Sequence, residues 1–297
     1  MNLYNNLSTY FREKYGKRLK KICIDGGFSC PNRDGKCGVG GCIYCGERGA
    51  GEHIDPSVSI REQVEKTLEN GTENDLFVAY FQNFSNTYAP IEVLRERYNA
   101  ALIDKRIVAL AIGTRPDCMN EDIAGLISEY GKEREVWVEL GLQTANDKTA
   151  EIINRGYKRD VFERAVGILQ GYGIKVCVHL IIGLPKEDDE DIRKTAEYLS
   201  GYDIWGIKIH GIYVMRGTEL EKMYKAGEYE PPTEEEYIRR VIYILTHTPQ
   251  DRIIHRLTGD CPDDMLVAPI WNRDKQRLIS RIQDTMSENG LYQGCEL

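Results

Sequence analysis

Six runs of apolar and β-branched residues punctuate the first two-thirds of the chain, at 22–26, 76–82, 107–113, 136–143, 174–183 and 204–213. Most are apolar at consecutive rather than alternate positions, the pattern of strands covered on both faces. Between them, at 60–68, 91–102, 121–130, 159–172 and 187–199, apolar residues recur every three or four positions and predict amphipathic helices. Alternation of this kind predicts a parallel α/β sheet with right-handed crossovers. Six units are two short of a closed eight-fold barrel, so a partial (β/α)6 barrel is expected, with an open doubly wound sheet as the alternative. After about Met215 the alternation stops. A polar, Pro-containing stretch at 225–233 precedes a helix at 234–245, a strand at 252–257 and a last helix near 274–286. The expected division is a core at 1–215 and a short C-terminal α/β extension at 216–297 packed on it.

Polar residues gather where these strands end. Gln82-Asn83-Phe84-Ser85 follows the second, and Gly113-Thr-Arg115-Pro-Asp117 closes the third. Glu139 and Gln143 lie on the fourth, with Asn154-Arg155-Gly156-Tyr157 just beyond. His179-Leu-Ile-Ile182-Gly183-Leu-Pro185 forms the fifth, and Lys208 and His210 lie on the sixth. Taken singly, each has a structural explanation: a strand Glu pairs with a buried cation, a Gly-x-Pro makes a turn, a strand His is satisfied in the core. Their recurrence at consecutive strand ends points to a site at the carboxyl edge of the sheet.

Four cysteines fall within one Gly-rich loop after the first strand, at Cys30, Cys37, Cys42 and Cys45. A disulfide framework is disfavoured, because the chain has nine cysteines, an odd number, and no apolar leader follows Met1. A reducing, cytoplasmic setting is therefore expected, where dense thiols serve metals or catalysis. Zinc ribbons show two close pairs and only Cys42-x-x-Cys45 is one, so an iron–sulfur cluster on three cysteines is favoured over a zinc site. No apolar run is long enough to span a membrane. The net charge of −8 gives no general polyanion-binding signature, although basic residues cluster at Arg12–Lys21 and again at Arg273, Lys275, Arg277 and Arg281. Singly, each cluster reads as a solvated face.

The chain resembles the radical S-adenosylmethionine enzymes, in particular the YtqA/YhcC-like subgroup related to the Elp3 catalytic core. The resemblance is carried by Ile24-Asp-Gly-Gly-Phe-Ser-Cys-Pro-Asn-Arg-Asp-Gly35, Gly41-Cys-Ile-Tyr-Cys45, Phe81-Gln-Asn-Phe-Ser-Asn-Thr-Tyr-Ala-Pro90 and Gly113-Thr-Arg-Pro-Asp117. It continues through Glu139-Leu-Gly-Leu-Gln-Thr144, Asn154-Arg-Gly156, His179-Leu-Ile-Ile-Gly-Leu-Pro185, Arg256-Leu-Thr-Gly-Asp260 and Ala268-Pro-Ile-Trp271. It implies a [4Fe–4S] cluster on Cys30, Cys42 and Cys45, with S-adenosylmethionine on the remaining iron.

Further roles follow from the same resemblance. Tyr44 stands at the aromatic position near the adenine, and Gln82, Asn83 and Ser85 stand where related enzymes grip the methionine amino group. Glu139 and Gln143 would bond the ribose and amino acid, Arg155 the carboxylate, and backbone around Ile182, Gly183 and Pro185 the adenine edge. Cys37 departs from the family pattern; it is a bystander, a fourth ligand in the absence of cofactor, or part of an alternative triad with Cys42 and Cys45. The remaining cysteines, Cys23 among them, are expected as small buried apolar groups.

The implied reaction is wobble-uridine modification in tRNA, 5-carboxymethylaminomethyluridine to 5-aminomethyluridine. Lys208, His210 and Arg115 would meet the substrate carboxylate or relay protons, the basic stretches would touch phosphate, and flavodoxin or ferredoxin would supply electrons. A radical enzyme acting on a small molecule or tetrapyrrole, and a non-catalytic metal-stabilised binding protein, are the alternatives.

Overall fold

The computed structural model describes residues 2–49 and 57–297. Its longer strands are β1 (Leu19–Ile24), β2 (Leu76–Phe81), β3 (Ile107–Thr114), β4 (Glu135–Gln143), β5 (Lys175–Ile182) and β6 (Gly206–Gly211). Shorter ones follow at β7 (Val214–Met215), β8 (Ile253–Arg256) and β9 (Leu266–Ala268). β1 to β6 pair in chain order, all parallel, and β8 joins the far edge beside β6. The expected strand at 252–257 is thus the seventh of the sheet, contributed by the part of the chain after Met215.

The sheet is rolled. In a flat sheet β2 and β6 would stand four strand spacings apart, roughly 19 Å. Lys208 of β6 nonetheless donates to the Tyr80 hydroxyl of β2 at 2.7 Å. That bond requires a half-barrel with an interior, the architecture expected from the sequence.

Strand alternation then separates two environments. Ile22, Ile24, Phe77, Phe81, Leu110, Ile112 and Val138 face outward into the main core. Helices α2 (Ile60–Glu69), α3 (Ile91–Ala101), α4 (Glu121–Gly131), α6 (Arg159–Gly171) and α7 (Asp189–Ser200) cover that convex side. The short α5 (Asp147–Ile152) precedes α6, α8 (Glu219–Lys225) and α9 (Glu234–Thr246) lie between β7 and β8, and α10 (Lys275–Glu288) follows β9. Helix starts are set by local chemistry: Ser59 with Glu62, Asp188 with Asp191 and Thr233 with Glu236 each form a capping box. Phe162 on α6 is fully buried, and its truncation to Ala would cost about 3–5 kcal/mol through the cavity left behind.

Inside the half-barrel, α1 (Leu7–Tyr15) plugs the N-terminal end of the strands. Its Leu7 and Phe11 pack with Val78, Ala109, Trp137 and Ile253, and its Tyr10 hydroxyl donates to Glu135 at 2.8 Å. This apolar floor leaves the polar half of the interior open only toward the carboxyl edge. Among the described residues, no helix is long and apolar enough to cross a membrane.

Candidate active site

A cavity of about 720 Å³ occupies that carboxyl end, within the range of about 300–1,000 Å³ usual for ligand pockets. Cys30, Cys42 and Cys45 line it, and Cys37 lines a separate cavity with Pro31, Tyr88 and Cys118. The loop carrying the thiols is pinned at both ends. Arg33 donates to the carbonyls of Cys45 at 3.2 Å, Gly46 at 2.5 Å and Glu47 at 3.1 Å. Asn32 donates to the Asn154 carbonyl at 2.6 Å, and Asn154 returns a bond to the Gly41 carbonyl at 2.7 Å. Gly156, at φ +84°, sits where a Cβ would lie 2.8 Å from Asn32 Oδ1, so both its backbone and its neighbour demand glycine.

Three soft thiols facing one cavity suit an iron–sulfur cluster. Burial, with Cys42 and Cys30 nearby, pushes the Cys45 thiol up to about 12, and burial likewise raises Cys42. Bound metal reverses that balance by stabilising the thiolates. The His210 Nε2 is buried on the same cavity without a protein hydrogen-bond partner among the described residues, as a ligand-binding wall requires.

Below the cysteines lies a buried network centred on Glu139 of β4. Its carboxylate accepts from Lys208 and His179 at 2.7 Å, Tyr80 at 2.8 Å and Trp137 at 3.0 Å. Burial pushes the carboxyl up, but Lys208, His179 and His255 outweigh it and hold Glu139 well below the usual carboxylate range. Burial, then Lys208, lowers His179, and burial with His179 and Lys208 lowers His210 strongly, so His210 is neutral at pH 7. The register shifts between Gly141 and Gln143, where β4 bulges against β5, and Gln143 has φ +62°. A bulge beside a site re-aims side chains, and here Gln143 lines the cavity.

Several expected site residues are placed differently. Arg115 grips Asp117 at 2.9 and 2.7 Å and donates to the Arg155 carbonyl at 2.9 Å. Arg155 donates to the carbonyls of Leu142 at 2.5 Å, Thr144 at 2.9 Å and Tyr157 at 3.0 Å. Both guanidiniums line the cavity and stack on Tyr157, at 4.8 and 4.6 Å, while most of their donors brace its wall. Asn83 donates to Asp25 at 2.7 Å and anchors its loop, while Gln82, Ser85 and Tyr44 do line the cavity. Ile182, Gly183 and Pro185 lie behind the wall: the Ile182 and Gly183 carbonyls accept from Ile212 N at 3.0 Å and from the Tyr229 hydroxyl at 2.6 Å. Their neighbour Ile181 faces the cavity with Ile212, a shift of one residue that reverses the face.

Tyr157, from the strand-end group, lines the cavity as well, and Lys21, Cys23, Tyr80 and Arg256, not expected there, join it. Cys23 is therefore no core residue, whereas Cys118 and Cys177 are buried. Within the first basic stretch, Lys14 pairs with Glu135, Lys17 with the Asn74 carbonyl and Lys20 with Asp75. Glu135 opens β4, so Lys14 lies at the end opposite the cavity, which argues against phosphate contact there. In the second stretch, Arg277 and Arg281 pair with Glu234, and Lys275 pairs with Asp260 on the cavity lining.

Residues 34–199 match the family model of the radical SAM superfamily, and residues 204–288 match that of the Radical_SAM C-terminal domain. The chain belongs to the radical SAM superfamily. It is similar to the uncharacterized protein YtqA of Bacillus subtilis, 36% identical over 295 residues that span 98% of this chain and 92% of that protein. A tRNA uridine(34) acetyltransferase of Methanocaldococcus jannaschii is 32% identical over 195 residues, 65% of this chain and 35% of that protein. In fold it resembles the archaeal Methanocaldococcus infernus Elp3, with a TM-score of 0.71 at 22% identity, covering 93% of this chain and 64% of that one. The chain is thus a radical S-adenosylmethionine enzyme, whose cofactors are S-adenosylmethionine and a [4Fe–4S] cluster.

Proposed function

We propose that this enzyme modifies the wobble uridine of tRNA, converting 5-carboxymethylaminomethyluridine to 5-aminomethyluridine in the cytoplasm with electrons from a flavodoxin or ferredoxin. The observation that carries the reading is one cavity that joins three cysteines to a polar barrel interior, in a chain related to a tRNA uridine(34) acetyltransferase. When bound, the cluster and S-adenosylmethionine supply a 5′-deoxyadenosyl radical that takes a hydrogen atom from the substrate. A hydrogen beside nitrogen suits this chemistry, because its removal needs no acidic proton. Loss of that hydrogen atom and of one further electron, taken by the oxidised flavodoxin or ferredoxin, would leave an imine that water hydrolyses to the 5-aminomethyl product and glyoxylate.

The chain's own residues bind, orient and exclude water. Cys30, Cys42 and Cys45 would hold the cluster, while Arg33 and Asn32 fix the loop that carries them. Tyr44, Ile181 and Ile212 form the apolar side of the cofactor pocket, and Gln82, Ser85 and Gln143 its polar side. Arg115 and Arg155 act one step back, by keeping Tyr157 and the β4 bulge in place. Glu139 fixes Lys208, which retains an N–H for substrate after serving Glu139 and Tyr80. His210, neutral and unpartnered at Nε2, offers the substrate a hydrogen bond.

Nucleoside mass spectrometry of tRNA from a strain lacking the gene tests the reading. Accumulated 5-carboxymethylaminomethyluridine with loss of the 5-aminomethyl product is expected, and an unchanged nucleoside profile would overturn it.

A further inference from the structure

We propose that Lys21 is the substrate-anion residue of the barrel interior, so that the cavity selects a slender substrate arm ending in a carboxylate. The inference rests on the proposed function and deepens it by naming the group the site recognises.

The chain as a whole is acidic, at −8, yet its cavity is basic. Glu139 and Asp260 are the only carboxylates on its lining among the described residues, and basic side chains outnumber them there. Most of those cations are already committed. Lys208 serves Glu139, Arg115 serves Asp117, Arg33 and Arg155 serve main-chain carbonyls, and Arg256 reaches Asp260 at 2.6 Å. Lys21 differs. Its ammonium lies 5.5 Å from the centre of the Tyr80 ring, and no hydrogen bond or ion pair to it is formed among the described residues.

The position suits the end of a substrate arm. Lys21 pairs in register with Val78, next to the apolar floor, and its side chain reaches up to the level of Tyr80. The Lys21 side chain is open to the cavity rather than sealed in the core, and enclosure by the barrel wall, then the charge of Lys208, pushes its ammonium down to about 8 against a partial offset from Glu139. A carboxylate arriving between Lys21 and the free N–H of Lys208 would supply a counterion and relieve both charges. In 5-carboxymethylaminomethyluridine the carboxylate is the last group of a flexible arm, so its capture would draw the neighbouring C–H groups into the cavity under the cluster cysteines.

The test uses the enzyme with its cluster reconstituted, as wild type, Lys21→Met and Lys21→Arg, acting on tRNA that carries 5-carboxymethylaminomethyluridine. Lys21→Met should raise KM about tenfold or more with iron content unchanged, and Lys21→Arg should recover most of the loss. A wild-type KM in Lys21→Met would overturn the proposal while leaving the tRNA reading intact. A second measurement does not depend on tRNA: acylation of Lys21 by an amine-directed reagent, followed by peptide mass spectrometry. N-Acetylglycine, which has a carboxylate and no free amine, should protect Lys21 and its uncharged amide should not; equal labelling with both would overturn the proposal. Protection by N-acetylglycine in an enzyme inert toward the tRNA would keep the carboxylate site and discard the tRNA reading.

Discussion

Lys208 reaches across the half-barrel from β6 to place its ammonium 2.7 Å from the Glu139 carboxylate on β4. Both side chains are almost wholly buried, and Tyr80, His179 and Trp137 complete the shell around the same carboxylate. Four strands therefore meet at one charge, which holds the sheet in its rolled form and sets the depth of the cavity. A buried pair contributes little against an apolar replacement, but breaking it strands a charge.

Glu139→Gln should accordingly destabilise the protein by about 3–5 kcal/mol, because Lys208 would lose its one anionic partner among the described residues. Adding Lys208→Met to Glu139→Gln should recover part of that loss. Urea unfolding followed by circular dichroism would read both; strictly additive losses would contradict the pairing.

The cysteines should separate into two classes. Ser in place of Cys30, Cys42 or Cys45 should abolish bound iron and sulfide in anaerobically prepared protein, since all three open onto one cavity. Cys37→Ser should leave iron content nearly unchanged, because that thiol lines another cavity. Iron analysis that shows equal loss at Cys37 would contradict the ligand set.

Gly156→Ala should weaken the cluster loop without touching a thiol. The added Cβ would sit 2.8 Å from Asn32 Oδ1 at φ +84°, and such backbone strain costs of order 1–3 kcal/mol. Asn32 would have to release the Asn154 carbonyl, so faster loss of iron to a chelator is expected. Wild-type iron release would show that the loop tolerates the shift.

Glu187 should give the enzyme a stability that falls as pH rises. Both its carboxyl oxygens are buried, and burial, only partly offset by the Thr144 hydroxyl and with Asp191 adding, pushes the group up to about 8 from its ordinary 4.5. Below pH 4.5 folded and unfolded chains are both protonated at this group and nothing is lost. Between there and about 8 only the folded chain keeps the proton, so unfolding becomes easier with each step upward. Thermal melts of Glu187→Gln against wild type should show the variant gaining relative stability from pH 5 to pH 8, and parallel pH profiles would contradict the shift.

Much of this architecture was legible because strands covered on both faces leave uninterrupted apolar runs. The same property hid the site. Where both faces are buried, periodicity does not distinguish barrel interior from convex core, so nothing placed Lys21, Tyr80 or Arg256 in the interior, and Ile182 was chosen where Ile181 faces the cavity. Helix α1 was masked by its charge, since only Leu7 and Phe11 are buried in it while its basic residues suggested a solvated face. Arg155 and Arg115 were identified by motif, but sequence shows no partner. Only the folded chain shows that carbonyls and Asp117 take up most of their donors.

The most direct test of the central claim is the stoichiometry of a single reaction mixture: reduced enzyme, S-adenosylmethionine and tRNA bearing 5-carboxymethylaminomethyluridine. The account expects 5′-deoxyadenosine and 5-aminomethyluridine to form in step, with neither above background when the cluster cysteines are replaced. Deoxyadenosine formed without any change in the tRNA nucleosides would contradict it.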